Sequence, residues 1–278
     1  MKRLGFVSIL LSSALFALPV GNPQEPMFYP DSFFLASSTT NYPLFDIGSL
    51  HGGFYGDYVF NRNLEDQEGM HVDVTKVYTN AGYLALNLCH RIDLFATAGV
   101  TEIKIQTPTC FFGSAFAQNQ PYALMQLTNA FSWSLGARLF LLQWRCWGVG
   151  LEGQYLRSNP KPTFFDTTFA QAPLDAPHMR WKEWQGGAAL AYNFIANTGC
   201  FAFSAYIGGK WADARLDAGD FTFDISPFTD LQFQGLRAAK HWGYAIGVTS
   251  VINRMCGVTV EGRFADEKAL HVNMQIAF

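Results

Sequence analysis

The chain has 278 residues, 49% of them hydrophobic and 16% aromatic, with only 15% charged and a formal net charge of −3. So much apolar surface excludes a disordered chain. The low, negative charge without a basic cluster argues against a nucleic-acid binder. Beyond residue 18 no run of about 18–20 apolar residues occurs, which excludes a bundle of membrane-spanning helices.

Residues 1–17 read as a secretory signal peptide. Lys2 and Arg3 are the basic start, residues 4–16 the short apolar stretch, and Ala17 the small residue before a cut. Residues 18–51 form an N-terminal segment. It is rich in Pro and Gly up to residue 30, which disfavours strand pairing and suits the periplasmic mouth of a barrel.

From residue 52 to 278 the dominant signal is a period of two. Residues 53–62 and 77–88 carry it loosely. Ile92, Leu94, Ala96, Ala98 and Val100 then alternate with Asp93, Thr97 and Thr101. Phe131, Trp133, Leu135 and Ala137 alternate with Ser132, Ser134, Gly136 and Arg138. The same holds around Trp147–Tyr155 (Val149 and Leu151 against Glu152 and Gln154), for Trp184, Ala188 and Leu190, and for Phe203, Ala205, Ile207 and Trp211. It closes with Tyr244, Ile246 and Val248, then Val258 and Val260, and finally Leu270, Val272, Met274, Ile276 and Phe278. Strands of about ten residues, apolar on one face and polar on the other, with aromatics near their ends, are the pattern of a transmembrane β-barrel. The soluble alternative, a β-sandwich, has shorter strands and more surface charge.

Connections alternate between long and tight. Residues 62–76, 104–128, 157–180 and 213–239 are long; 89–91, 144–146, 197–199 and 253–254 are tight. Outer-membrane barrels have short periplasmic turns and long external loops. The expected fold is therefore an all-β, antiparallel, up-and-down barrel of about twelve strands, ten to sixteen being possible, with both termini periplasmic. Two of the twelve are expected inside the span 213–239.

Parity puts Asp57, Asp93, Arg138, Glu152, Glu183, Lys210, Glu261 and Arg263 on the inward face as pore-lining residues. An excess of acidic groups there favours cations; the structural alternative is that the charges pair with one another. Of the five cysteines, Cys89, Cys146, Cys200 and Cys256 fall at tight turns and Cys110 in a long loop. An odd number leaves at least one thiol unpaired within the chain. These five are the disulfide candidates, either cross-linking to other subunits or cysteine-rich envelope proteins, or remaining as unpaired thiols.

No Gly-x-Ser-x-Gly elbow and no zinc-binding HExxH occurs, and no cofactor or metal site is expected. Parity turns His241 and His271 inward, so a Ser–His pair in the lumen stays open. The expected function is an outer-membrane porin. The rivals are a closed structural or adhesive barrel and a barrel hydrolase.

Several stretches carry a resemblance. Leu18-Pro-Val-Gly-Asn-Pro-Gln-Glu-Pro26, Tyr55-Gly-Asp-Tyr-Val-Phe60, Asn80-Ala-Gly-Tyr-Leu-Ala-Leu-Asn-Leu88 with Arg91-Ile-Asp-Leu-Phe95, and Phe131-Ser-Trp-Ser-Leu-Gly-Ala-Arg138 belong to it. So do Glu183-Trp-Gln185, Gly208-Gly-Lys-Trp211, Val258-Thr-Val-Glu-Gly-Arg-Phe264 and Asp266-Glu-Lys-Ala-Leu-His-Val-Asn273. Together these resemble the chlamydial major outer membrane porin family. The chain looks like a shorter member, reduced in its external loops and without the N-terminal cysteine cluster. The resemblance implies passive diffusion of small solutes and ions in the outer membrane of a Gram-negative bacterium. It also implies contact with outer-membrane lipid, a homo-oligomer (a trimer) and disulfide participation in an outer-membrane complex.

Overall fold

The computed structural model describes residues 20–29, 47–66, 69, 71–107, 123–167, 171–172, 178–194, 201–217, 221–224, 230–233 and 235–278. The two cysteines Cys110 and Cys200 lie outside these residues.

Among the described residues ten long strands run antiparallel. They are β1 (Ile47–Arg62), β2 (Val74–Leu88), β3 (Ile92–Thr107), β4 (Ala130–Trp144), β5 (Trp147–Ser158), β6 (Arg180–Asn193), β7 (Phe201–Asp217), β8 (Trp242–Ile252), β9 (Cys256–Phe264) and β10 (Glu267–Ala277). Each pairs with its neighbour in sequence except at the junction of β5 and β6, and β1 pairs with β10 from His51↔Ala277 to Arg62↔Glu267. The seam between β5 and β6 is held at both ends. Asn193 N–H donates to the Cys146 carbonyl at 2.9 Å and Met179 N–H to that of Pro160 at 2.8 Å. Between them Tyr155 packs on Trp184 and Trp147 on Tyr192, all four pairs lying on one antiparallel register. The sheet therefore closes on itself, as a spanning β structure must to leave no unpaired edge in lipid.

The alternation seen in the sequence becomes the two faces of the wall. Phe131, Leu135, Trp184, Ile207, Ile246 and Met274 are exposed on the outside, while Ser132, Ser134, Gln185, Lys210, Thr249 and Gln275 are buried inside. Outward apolar residues cost nothing against hydrocarbon, and inward hydroxyls pair between neighbouring strands, as Thr79 with Thr101 and Thr97 with Ser134.

One end carries the start of β1, the end of β10 and three tight turns; the fourth expected turn, at 197–199, lies outside the described residues. At Cys89–His90 and Asn253–Arg254 both central residues have φ between 52° and 54–55°. Each turn is closed by a backbone hydrogen bond of 3.0 Å, Arg91 N–H to Leu88 and Met255 N–H to Ile252. Positive φ at both central residues is the primed-turn geometry that follows the right-handed strand twist. We call this the terminal end and the opposite one the loop end.

At the loop end short strands extend the wall. Ala123–Leu127 pairs with the end of β3 and with Pro162–Thr167. Leu236–Ala238 pairs with β7 and with Leu64–Glu65, roofing the side where β8, β9 and β10 are short. The two strands expected within 213–239 are present as Phe221–Asp224 and Asp230–Phe233; they pair with each other in a separate hairpin. The membrane wall is thus made by the ten long strands.

Candidate functional site

The candidate site is the lumen. A ten-stranded barrel is close to the size that its own side chains fill, and this lumen is filled in three tiers. All eight residues read from parity as inward are buried, at 7% exposure or less. The structure brings seven of them into two ionic clusters and places the eighth, Asp93, beside one of them.

The cluster nearer the loop end centres on Glu267. Its carboxylate bonds Arg62 and Lys210 and lies 3.2 Å from Arg263 Nε. Arg62 also pairs with Glu183, Arg263 with Asp57, and Lys210 with Asp266 at 2.8 Å. Trp181 Nε1–H donates to Glu183 at 3.3 Å, and the Arg62 guanidinium lies 5.9 Å from the Trp181 ring centre. His271 packs against Tyr55 with ring centres 4.8 Å apart.

The second cluster, nearer the terminal end, includes a piece of chain from outside the wall. Residues 20–29 lie within the bore, with a single turn of 3-10 helix at Glu25–Met27. Arg138 Nε bonds Glu152 at 2.5 Å, and its Nη1 bonds Glu25. Gln275 donates to the other oxygen of Glu25. Glu261 accepts the backbone N–H groups of Val20 and Gly21 at 3.1 and 3.0 Å and the Tyr206 hydroxyl at 2.8 Å. Asn87 donates to Asp93 at 2.6 Å and to the Pro26 carbonyl at 3.1 Å. Glu25 stands outside the spanning strands. Its burial pushes its carboxyl above the ordinary value, the Arg138 charge pulling the other way.

The third tier, at the loop end, is apolar. Val59, Val77, Ile103, Ile105, Leu156, Trp181 and Leu216 from the wall meet Leu64, Met125, Leu127, Met179 and Leu236 from the roofing segments in one buried cluster. Facing the terminal end, a cavity of about 200 Å³ opens between Gln24, Met27, Phe28, Arg145, Cys146, Phe201, Val251 and Arg254.

Sequence reasoning missed Glu25, Arg62, Asp266 and Glu267. Arg62 was hidden by a β-bulge: the pairing of β1 with β10 shifts between Val59 and Asn61. A bulge adds one residue to one strand and so reverses the parity beyond it. Asp57 and Val59 point inward at odd positions, Arg62 at an even one. Glu25 lies in a segment with no period at all. Glu267 continues the inward set of β10 and is legible by parity, but it lies ahead of the alternation read from Leu270 onward.

The histidines divide. His271 faces inward, as parity has it. His241 does not follow parity: its ring stacks on Trp211, an outward residue, at 5.6 Å, and its Nδ1 lies 2.9 Å from the Ala212 carbonyl. It sits just outside β8, where alternation no longer applies. Ser49 Oγ lies 2.5 Å from His51 Nε2, but both are fully buried under the Tyr29 ring, 4.2 Å away from that of His51. Among the described residues no group of His, Cys, Asp and Glu could hold a metal ion.

Of the cysteines, Cys89 and Cys256 are exposed and Cys146 half-buried, all three at the terminal end with free thiols. Among the described residues no disulfide forms within the chain. The wall keeps these turns apart, since each cysteine caps a different hairpin.

A closed antiparallel barrel with an apolar outside and a polar, ion-paired inside is an outer-membrane β-barrel. The family model described as Chlamydia major outer membrane protein matches residues 1–68 and 65–175, and the chain belongs to that family. The major outer membrane porin of Chlamydia psittaci is 27% identical over 398 aligned positions, covering 100% of both chains. The major outer membrane porin, serovar A, of Chlamydia trachomatis is 25% identical, with 98% of each chain covered. Among solved structures, the outer membrane protease OmpT from Escherichia coli has a TM-score of 0.41 and 12% identity, covering 86% of this chain and 100% of that one. A likeness at that level carries no argument about activity.

Proposed function

We propose that the chain is an outer-membrane porin that passes small hydrophilic solutes and ions by diffusion. The observation that carries this reading is the charge of the inner wall. Among the described residues of the ten strands six carboxylates (Asp57, Asp93, Glu152, Glu183, Glu261 and Glu267) but only four cationic side chains are buried. Charge inside and apolar residues outside suit a bore that carries water and ions. Named porins similar along the whole chain support the same reading. The eight residues Asp57, Asp93, Arg138, Glu152, Glu183, Lys210, Glu261 and Arg263 would then line the path, and the acid excess would favour cations.

Several finer points belong to the same proposal. Residues 1–17 are removed as a signal peptide, and the N-terminal segment serves the periplasmic end of the barrel, whose first strand begins at Ile47 and not at residue 52. Both termini face the periplasm. The barrel is a homo-oligomer, a trimer by resemblance, and its terminal-end thiols form disulfides with other chains of the envelope. Oxidised outer membranes run on non-reducing gels should give a ladder that reductant collapses; monomer under both conditions refutes the cross-linking.

A second reading is favoured by one observation: the lumen charges are paired and the bore is filled. That describes a closed structural barrel. Planar-bilayer recording from the refolded barrel separates the two. Discrete ion-conducting steps are expected of the porin, and a correctly folded, silent barrel would establish the structural reading.

A further inference from the structure

Residues 20–29 are chemically unlike the apolar tier at the loop end. Val20 and Tyr29 pack against aliphatic and ring neighbours at its two ends. Between them the attachment is almost wholly polar. Glu261 holds two consecutive backbone amides, Arg138 and Gln275 hold Glu25, and Ser204 Oγ donates to Gln24 at 3.1 Å. Water can replace each of these bonds, whereas it cannot replace an apolar contact.

The segment also has a way out. Tyr29 and the start of β1 both lie at the terminal end, and residues 30–46 join them. Residues 20–29 take part in no ladder of the wall, so the segment can leave the bore without breaking a wall strand.

We infer that residues 20–29 are a reversible plug that gates the lumen from the terminal end, held shut by Glu261 and Arg138. This rests on the porin reading and adds its regulation. Gly21 is a tight point of the seated segment. It has φ +46°, and a Cβ there would meet Glu152 Oε2 at 2.3 Å and Arg138 Nη2 at 2.6 Å. A side chain at position 21 is thus incompatible with the seated plug, yet it touches nothing once the plug is out.

The experiment replaces the five native cysteines by Ser and introduces Val20→Cys, which is 2% exposed when seated. Gln24→Cys serves if that variant does not fold. A membrane-impermeant maleimide is added at the terminal side, and labelling is followed together with single-channel current. Adding Glu261→Gln weakens a charge-assisted clamp, so labelling should speed up about tenfold. Gly21→Val should speed it further. The maleimide adduct, too bulky to re-enter, should hold the channel open.

Current through a barrel whose Val20→Cys stays unlabelled in all variants overturns the plug while leaving the porin reading intact. So does free labelling with no change in current. Labelling accelerated by Glu261→Gln in a barrel that never conducts, even with the adduct in place, leaves plug release standing but refutes the porin reading and with it the gate.

Discussion

At the level of single residues, the closed lumen holds buried charges that answer one another. Arg138 answers both Glu25 and Glu152. Replacing it by Gln leaves two buried carboxylates without a cation, which costs about 3–5 kcal/mol in comparable buried pairs. The urea midpoint of the refolded barrel should fall accordingly, and adding Glu152→Gln should restore part of the loss; an unchanged midpoint would mean that the bore is wet enough to solvate the charges. Part of this site was readable beforehand. Arg138 and Glu152 face each other directly in the β4–β5 ladder, and parity places both inward. Glu25 was not readable, because a period identifies a face and says nothing of a partner from a distant, aperiodic segment.

At the level of elements, the strands separate into lipid and lumen faces with little room for exchange. Ile207, 54% exposed near the middle of β7, faces outward, while Lys210 three residues on is fully buried. Ile207→Arg should destabilise insertion by about 2–4 kcal/mol, measured as folding yield into vesicles, while Ile207→Leu should be neutral. The bulge in β1 shows where such reasoning stops. It reverses the parity between Val59 and Arg62, and an extra residue in a ladder leaves no mark in an alternating sequence. The tight turns make a further prediction. Cys89 and Cys256 are exposed and Cys146 half-buried. In the folded barrel a water-soluble maleimide should therefore modify the first two ahead of the third, as read by mass spectrometry. The reverse order would mean that the turns are packed differently.

At the level of the whole molecule, ten long strands enclose a bore that polar and apolar tiers share. The excess of buried carboxylates over cations predicts that any current is cation-selective. Neutralising Asp93→Asn or Glu152→Gln should move the reversal potential in a salt gradient toward zero, and unchanged potentials would remove these residues from the path. Length and composition alone left two possibilities, a large buried core or a wall facing lipid. Alternation decided between them, since an apolar face on every strand beside so little charge has to meet either another sheet or a membrane. The sequence by itself thus determined the barrel, its two faces, the tight turns and the inward position of eight charged residues, because strand geometry ties side-chain direction to position along the chain. Only the tertiary structure decided which charges meet, how β1 changes parity, that two of the expected strands pair apart from the wall, and that residues 20–29 occupy the bore. Those are contacts between segments far apart in sequence, and closure of the barrel, which no local period encodes, brings them together.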